Sequence, residues 1–594
     1  MAPFSFTRSG PIVWLASLLP LLLFVVLASL RAMHVDALVS AYTGCQHCLR
    51  GSVLHHDFGL LALQAALLGM ALWPRWLVMR VIARLLALLL LLAWATDFAV
   101  FAALTQRLYV GDLLMFGTEG SALRDFIVAL IRSSSRGYWL AAASLILVTA
   151  IATIWPRARS ARQGVALLML AALLAVAWWL PLAPVRYVHP EIYANVLEAN
   201  FDNDVDTPYG KTYRDELESR PPVLAESCVP ARTSTQPDVV VVLVESLSAY
   251  HSKLLGGDMD AVPHLDALAR DNHYFTNFLA NGFTTNGGRI ALFTGRAPLP
   301  PPGFGRTLPL SAYAFRSGTL PDVARRAGYT SHYFTSGDLD FVDSKEWLEG
   351  LGFDSVEGSE SPFYVGMRRW QFNAPEDHAL FARLLDWIDQ RNDARPFIAA
   401  LLTVTTHPPF VNPRNGELNE LDTFHYVDAQ LAWLHEQLAM RGFFEHGVLL
   451  ITGDHRSMTP LHPSEYTRWG ETAFARIPLV VMGAVDMPKV VTQAFAQSDF
   501  PASFAALAGL GDCRDEAHGD FLRVDPVPAS FLLHASGQQR NRVDVYFSNG
   551  QRRASYLLDG DNGTWQGETP PDRDKIQHAI DAQRMQEAVM ARGD

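Results

Sequence analysis

Residues able to hold a divalent metal or attack phosphorus follow apolar runs in the C-terminal two thirds of this chain. Glu245 ends the run Val-Val-Val-Val-Leu-Val, and Asp454 and His455 end a second run over 447–453. Thr285 begins the segment Thr-Asn-Gly-Gly-Arg-Ile-Ala-Leu-Phe-Thr. Carboxylate oxygens and imidazole nitrogens are ligands for hard or borderline divalent ions. Such an ion lowers the pKa of a hydroxyl far enough for attack on phosphorus.

Each of these residues also has a purely structural interpretation. A carboxylate after a strand and a threonine before a helix are both common helix caps. The combination favours chemistry, because a hydroxyl at a helix start lies where backbone N–H groups and the positive dipole end attract anions. The set therefore predicts a site for a phosphate group and one metal ion.

The elements around these residues predict an α/β domain with a mostly parallel sheet. Apolar, β-branched runs at 238–244, 395–403 and 447–453 are typical of strands buried on both faces. Helical patterns at 377–389 and 424–440 lie between them. Active sites of such sheets lie at the carboxyl ends of strands, where the candidate ligands fall.

The N-terminal third is predicted to be a membrane domain. A helix needs about 20 apolar residues to cross the hydrocarbon core. Five stretches qualify, near residues 11–32, 57–75, 79–103, 137–155 and 164–183. We therefore divide the chain into a transmembrane domain at 1–183, an extracytoplasmic linker at 184–236 and a catalytic domain at 237–594.

Basic residues in the short loops predict the orientation of these spans. One set flanks the second and third spans, and another lies between the fourth and fifth; they are Arg75, Arg80, Arg84, Arg157, Arg159 and Arg162. Such loops face the cytoplasm, which places the C-terminal domain outside it. An amphipathic pattern over 123–130 predicts either a helix on the outer membrane surface or one packed against the bundle.

Net charge and cysteine spacing bear on nucleic-acid binding and on possible disulfides. The formal net charge of -12 argues against a nucleic-acid surface. Cys45 and Cys48 form a CxxC near three histidines, so a disulfide and a metal site are both open, with the disulfide preferred. In an oxidising compartment Cys228 and Cys513 are a second candidate disulfide.

Four motifs occur in the order and roughly the spacing of the lipoteichoic acid synthase family, within the alkaline phosphatase and sulfatase superfamily. They are Leu-Val-Glu245-Ser, Thr284-Thr285-Asn, Thr405-Thr-His407-Pro-Pro-Phe and Thr452-Gly-Asp454-His455. The chain resembles this family in its five-span topology as well. The resemblance implies a five-helix transmembrane bundle joined to a sulfatase-like α/β domain. It also implies that Glu245, Thr285, Asp454 and His455 bind one manganese, magnesium or zinc ion, with Thr285 as nucleophile.

The resemblance also implies that His407 contacts the transferred headgroup or takes part in proton transfer. Thr285 is the expected nucleophile because the stretch from Thr285 to Pro298 matches the family spacing without a gap. Thr284 remains the alternative.

The headgroup segment departs from the family pattern. Members that polymerise glycerol phosphate carry a Trp and an Arg after His-Gly-Asp, and neither occurs in 336–344. The segment is more similar to Gram-negative relatives, including phosphoglycerol transferases that decorate periplasmic glucans. Asp338 is either a substrate contact or a turn-forming residue. Arg289 either clamps a phosphate or is a solvated helix residue.

The resemblance, together with the predicted topology, implies a phosphoglycerol transferase of the bacterial inner membrane, with its catalytic domain in the periplasm. The expected donor is a phospholipid, and the acceptor is a glycan, a glycolipid or water. Phosphoethanolamine transfer is an alternative, although such relatives usually carry several periplasmic disulfides. A sulfatase-like hydrolase would need a modifiable Cys or Ser in Cys-x-Pro-x-Arg, which the Thr285 segment lacks. An inactive binding protein with the same fold is the non-enzymatic alternative.

Overall fold

The computed structural model describes residues 11–43, 47–73, 76–104, 107, 109–110, 136–155, 160–182, 188, 190–201, 207–221, 224, 227–228, 236–302, 310–511, 513–537, 539–547, 550, 553–567, 570 and 572–592. These residues form two compact units. The first contains the described residues up to 201 together with 459–463, and the second contains the rest from 207 onwards.

The α-helices are α1 Pro11–Thr43, α2 Arg50–Ala71, α3 Leu77–Leu104, α4 Arg136–Ile154, α5 Ala161–Trp179, α6 Pro190–Tyr193, α7 Val196–Phe201, α8 Lys211–Ser219, α9 Pro263–Asp271, α10 Thr285–Thr294, α11 Leu320–Arg326, α12 Ser344–Leu351, α13 Asp377–Gln390, α14 Glu420–Met440, α15 Pro463–Trp469, α16 Phe500–Leu507 and α17 Arg573–Arg592. The strands are β1 Ser227–Cys228, β2 Asp238–Val244, β3 His273–Phe275, β4 Phe278–Leu279, β5 Thr330–Thr335, β6 Ser355–Glu357, β7 Phe397–Leu402, β8 Gly447–Gly453, β9 Arg476–Ile477, β10 Leu479–Gly483, β11 Val490–Val491, β12 Phe495–Ala496, β13 Cys513–Arg514, β14 Phe531–Ala535, β15 Arg542–Phe547, β16 Arg553–Leu557 and β17 Thr564–Gly567.

The first unit is a helical bundle. Among its described residues, four stretches are long and apolar enough to cross a membrane, namely Leu18–Ser40, Arg50–Ala71, Leu77–Ala102 and Ala161–Trp179. The shorter apolar helix Leu140–Ile154 coincides with the remaining span expected from sequence. The amphipathic segment at 123–130 lies outside the described residues.

Two pairs of opposite charges lie inside the bundle. Arg31 donates to Asp57 across 2.5 Å, and both side chains are buried. Arg107 pairs in the same way with Asp97. A paired charge is tolerated inside an apolar bundle, which accounts for Arg31 within α1 and Asp57 within α2.

The second unit is built on an eight-stranded sheet in the order β11-β3-β10-β8-β2-β7-β5-β6. Strands β8, β2, β7, β5 and β6 run parallel, and β10 is antiparallel to both β8 and β3. The predicted α/β domain with a mostly parallel sheet is therefore confirmed, together with the N-terminal apolar helices.

The valine-rich β2 lies at the centre of this sheet because both of its faces are covered. Val239, Val241 and Leu243 pack into a core shared with α10, α11, α12 and α16. Val240 and Val242 pack into a second core shared with α9, α13 and α14. Helices on both faces bury all six residues from Val239 to Val244, which explains an apolar run without alternation.

The C-terminal region adds a four-stranded antiparallel sheet, β14-β15-β16-β17, which shares a core with α17. Residues 207–219, which belong to the predicted linker, are hydrogen-bonded to this region. Tyr209 and Tyr213 donate to the two carboxylate oxygens of Asp581 at 2.6 and 2.8 Å. The described residues 207–219 thus pack within the second unit.

The cysteine predictions have different outcomes. Cys48 is disulfide-bonded, which excludes it as a thiolate metal ligand, and Cys45 lies outside the described residues. Strands β1 and β13 pair antiparallel with Cys228 directly opposite Cys513. This backbone register is compatible with the predicted second disulfide, which stays a prediction.

Candidate active site

The register of two parallel strands brings Glu245 and Asp454 side by side. Val244, the last residue of β2, pairs with Gly453, the last residue of β8. The next residue of each strand is a carboxylate, and both side chains are buried. Two carboxylates that are 209 positions apart in sequence therefore emerge at the same sheet edge.

Ser246 links these two carboxylates. Its backbone N–H donates to Asp454 Oδ1 at 2.8 Å, and its hydroxyl donates to Glu245 Oε1 at 2.8 Å. Its φ of 59° lies in the left-handed region, which costs a non-glycine residue of order 1 kcal/mol. With this backbone conformation, Ser246 forms hydrogen bonds to both carboxylates, Glu245 and Asp454.

His455 completes a cluster suited to a metal ion. Its Nε2 lies 3.6 Å from Glu245 Oε1 and 3.5 Å from Asp454 Oδ2. Its Nδ1 lies 2.9 Å from the Arg456 carbonyl oxygen, so Nδ1 carries the proton and Nε2 presents its lone pair.

The three residues fit a divalent ion on two observations. Two donors placed about 2.1 Å from a tetrahedral ion lie about 3.4 Å apart, close to the separations above. In addition, Asp454 Oδ2 and His455 Nε2 are buried without a hydrogen-bond partner among the described residues. Buried polar atoms left without partners cost free energy, so a ligand at this position relieves a penalty.

The electrostatics of the cluster reflect burial and mutual charge. Burial raises the pKa of Asp454, and the neighbouring Glu245 charge raises it further. Burial also acts upward on the pKa of Glu245, but the nearby imidazole of His455 and the Ser246 hydroxyl outweigh it and hold that pKa below its usual range. Burial lowers the pKa of His455, yet Asp454 and Glu245 raise it overall. Cation binding here is therefore coupled to proton release.

Helix α10 places Thr285 against this cluster. Thr284 is the N-cap, and its hydroxyl accepts the Gly287 N–H at 3.1 Å. Thr285 is the first helical residue, and its hydroxyl donates to Glu245 Oε2 at 3.1 Å. The two adjacent threonines thus have different tasks, since one hydroxyl caps the helix and the other faces the cluster.

The segment after β7 fixes the backbone of Glu245. Thr403 Oγ1 accepts the Glu245 N–H at 2.9 Å, and the Thr406 hydroxyl donates to the Glu245 carbonyl oxygen at 2.6 Å. The next residue, His407, is half-buried, and its ring meets the Phe372 ring edge-on at 4.7 Å. His407 Nδ1 lies 2.7 Å from the Pro408 carbonyl oxygen, which leaves Nε2 as the proton acceptor.

Asp338 lies beside the same aromatic residue. Its backbone N–H donates to the Phe372 carbonyl oxygen at 3.1 Å, and its Oδ1 accepts the Asp340 N–H at 3.0 Å. The second bond is the local turn expected of an Asp after Gly. The turn and the position near His407 coexist, so the substrate-contact prediction for Asp338 stays a prediction.

Arg289 is buried, with 4% of its surface exposed, so the interpretation as a solvated helix residue is wrong. Its guanidinium donates to Asn286 Oδ1 and to Ser344 Oγ, the latter at 3.1 Å, and lies over the Trp347 ring. Every residue of α10 from Gly287 to Thr294 is buried, so Arg289 has no exposed helix face on which to lie. The phosphate-clamp prediction remains untested.

Sequence reasoning missed four residues that support the cluster: Ser246, Thr403, Thr406 and Asp377. Asp377 is buried at the start of α13, and Val404 and Thr405 donate their N–H groups to its Oδ1. Burial raises its pKa to about 6, although these two bonds act in the opposite direction. The clustering of Ser and Thr at strand ends was the available signal, but such residues are common in loops.

This chain is similar to several known proteins. The model of the Sulfatase family matches residues 237–510. A protein of the alkaline phosphatase superfamily from Vibrio parahaemolyticus is 18% identical with a TM-score of 0.48, over 63% of this chain and 92% of its own. The lipoteichoic acid synthase LtaP from Listeria monocytogenes is 19% identical with a TM-score of 0.45, over 61% and 95%. The zinc complex of the C-terminal periplasmic domain of EptC from Escherichia coli is 17% identical with a TM-score of 0.36, over 50% and 88%.

Proposed function

We propose, from the premise that residues 237–510 form a sulfatase-family domain, that this chain is a membrane-anchored phosphoglycerol transferase acting through Thr285. The observation that carries the proposal is the hydroxyl of Thr285, which begins a helix and donates to a carboxylate of a three-ligand cluster. A hydroxyl in this position combines activation with an anion-binding helix end.

Glu245, Asp454 and His455 would hold one divalent ion, manganese, magnesium or zinc, with Thr285 beside it. When bound, this ion lowers the pKa of a nearby hydroxyl and offsets negative charge on phosphorus. Glu245 orients the Thr285 hydroxyl through the 3.1 Å hydrogen bond. Backbone N–H groups at the start of α10 favour the phosphate oxygens.

The reaction proceeds by two displacements at phosphorus. In the first, Thr285 Oγ forms a bond to the phosphorus of phosphatidylglycerol, and the bond from phosphorus to the diacylglycerol oxygen breaks. The leaving oxygen takes up the proton that Thr285 gives up, so diacylglycerol is released with its hydroxyl. In the second, an acceptor oxygen forms a bond to phosphorus, the bond from phosphorus to Thr285 Oγ breaks, and the proton that the acceptor gives up restores the Thr285 hydroxyl.

His407 is the group proposed for proton transfer or headgroup contact. Its Nε2 is the basic nitrogen, because Nδ1 faces the Pro408 carbonyl oxygen. A neutral imidazole can take the proton of an acceptor hydroxyl in the second displacement. Asp338 and Arg289 are the further candidates for contact with the headgroup phosphate or its hydroxyls.

A lipid donor accounts for the apolar helices, since its headgroup is presented at the outer surface of the bacterial inner membrane. The catalytic domain then lies in the periplasm and transfers the group to a glycan or glycolipid. Transfer to water would make the protein a phosphodiesterase. Phosphoethanolamine transfer would use the same nucleophile with a different headgroup, and an inactive binding protein would bind metal without turnover.

The test is incubation of purified full-length protein with phosphatidylglycerol or phosphatidylethanolamine, each labelled in its headgroup, in the presence of Mn²⁺. We expect diacylglycerol release and a labelled protein with phosphatidylglycerol. Preference for phosphatidylethanolamine would transfer the proposal to the alternative headgroup. Labelling by neither lipid would refute a phospholipid donor.

Two adjacent substitutions test the nucleophile. Thr285→Ala should abolish the adduct detected by mass spectrometry. Thr284→Ala is the matched control, because it removes a helix cap worth about 1 kcal/mol but keeps the Thr285 hydroxyl. An adduct that persists in Thr285→Ala and disappears in Thr284→Ala would assign the nucleophile to Thr284.

A further inference from the structure

Asp377 is a buried carboxylate that organises the segment beside the metal-ligand candidates. Its side chain is 0% exposed at the first position of α13. Its Oδ1 accepts the N–H of Val404 at 2.9 Å and of Thr405 at 3.2 Å. Its own N–H donates to Thr405 Oγ1 at 3.1 Å. Three hydrogen bonds therefore join one residue to two consecutive positions of the turn after β7.

The turn over residues 403–407 forms hydrogen bonds to both backbone groups of Glu245. Thr403 accepts the N–H of Glu245, and Thr406 donates to its carbonyl oxygen. Thr403 and Thr406 flank the two positions that Asp377 fixes. A shift of the turn would therefore be transmitted to Glu245 from both directions.

The same turn also determines the position of His407. The His407 N–H donates to the carbonyl oxygen of Val404 at 3.0 Å and closes a turn over residues 404–407. The N–H group of Val404, at the start of this turn, donates to Asp377. The Asp377 carboxylate thus holds a short segment, residues 403–407. Thr403 at its start contacts Glu245, and His407 at its end is the proposed proton acceptor.

We propose that Asp377 is a positioning residue, which acts through the turn at 403–407 to set the place of the Glu245 carboxylate and of the His407 imidazole. A simple stabilising role for the α13 N-terminus would affect folding but not the cluster. Supporting residues of this kind typically contribute 10- to 100-fold to metal affinity or activity. The part that concerns His407 rests on the proposed function, whereas the part that concerns Glu245 rests on metal binding alone.

The test measures Mn²⁺ affinity of the full-length protein by electron paramagnetic resonance of free Mn²⁺, with thermal unfolding in parallel. Asp377→Ala should weaken Mn²⁺ binding about 10- to 100-fold. Asp377→Asn should stay within about threefold of wild type, because its amide oxygen accepts the same two N–H groups.

Asp428 provides a matched control. It is equally buried, and its two oxygens accept the N–H groups of His264 and Leu265 at 2.8 and 2.9 Å. These bonds fix the start of α9, which carries none of the site residues. Asp428→Ala should lower the unfolding temperature as much as Asp377→Ala without weakening Mn²⁺ binding.

Thr403→Val tests the same path if Asp377→Ala does not fold. The substitution keeps the branched shape but removes the acceptor for the Glu245 N–H, so it should also weaken Mn²⁺ binding about tenfold. Wild-type affinity in Thr403→Val or in folded Asp377→Ala would overturn the proposal. An equal loss in Asp428→Ala would overturn it as well.

The proposed function and this inference fail in different ways. If the wild-type protein forms no adduct with any lipid, the transferase proposal fails while the Mn²⁺ series still decides the role of Asp377. If the adduct forms and all variants bind Mn²⁺ equally, only the role of Asp377 is rejected.

Discussion

A methyl group at Gly288 should disable the site, whereas the same change one residue earlier should not. Helix α10 approaches β8 so closely that a Cβ on Gly288 would lie 2.1 Å from the carbonyl oxygen of Asp454. A Cβ on Gly287 would meet its nearest atoms, in Gly282 and Pro298, at 3.3 Å. Gly288→Ala and Gly287→Ala therefore form a matched pair within one helix turn.

The size of the effect follows from these distances. Carbon and oxygen atoms in a packed interior stay at least about 3 Å apart, so Gly288→Ala must open the contact by about 1 Å. A displacement of about 1 Å at a reacting group reduces the rate about 100-fold. The Gly287 neighbours need to move by only a few tenths of an ångström, and replacing a helical glycine stabilises the helix by about 1 kcal/mol.

The assay is diacylglycerol release from phosphatidylglycerol by each purified variant, with thermal unfolding as the check on folding. We expect a loss of about 100-fold for Gly288→Ala and turnover within about threefold of wild type for Gly287→Ala. Full turnover by Gly288→Ala would refute the argument that close approach of α10 to Asp454 positions Thr285. An equal loss in Gly287→Ala would show that the helix tolerates no added methyl group, whatever its direction.

Two further predictions concern residues inside the catalytic domain. Ser246→Ala and Ser246→Gly both remove the hydroxyl that donates to Glu245, so both should weaken Mn²⁺ binding about tenfold. Only Ser246→Gly also relieves the strain of the left-handed φ, so only this variant should be more stable than wild type. Unchanged Mn²⁺ titrations would contradict this. Burial raises the pKa of Glu587 to about 8, so this carboxyl binds a proton more tightly in the folded protein than in the unfolded chain. The stability of the protein should therefore fall as pH rises from about 5 to about 8. Glu587→Gln should raise the unfolding temperature more at the upper end of that range than at the lower, and an advantage independent of pH would count against the assignment.

The sheet and its ligands followed from local sequence because the central strands are covered on both faces. Such strands have no alternating pattern, and their apolar runs end at the strand end. Glu245 and Asp454 were therefore placed at the sheet edge from the run lengths alone. The helix starts were less exact, since α14 begins at Glu420, where the Asn419 side chain accepts the Asp422 N–H at 3.0 Å.

The bundle was harder to delimit because hydropathy treats charge as a boundary. Arg31 and Asp57 lie near the ends of the predicted spans 11–32 and 57–75, and each neutralises the other inside the bundle. Such pairs join different helices, so no property of a single segment reveals them. Of the two interpretations of Arg289, the solvated one was wrong because the Trp347 ring that covers this residue comes from a separate helix.

The sequence by itself determined the residue types of the candidate site, its position at strand ends and the division into apolar helices and an α/β domain. These properties depend on composition and periodicity over a few neighbouring residues. The tertiary structure decided how the residues meet. Only the pairing of β2 with β8 sets Glu245 beside Asp454, and only the entry of α10 gives Thr284 the cap and Thr285 the contact with Glu245. These relations join residues far apart in the chain, so they depend on packing that no local pattern encodes.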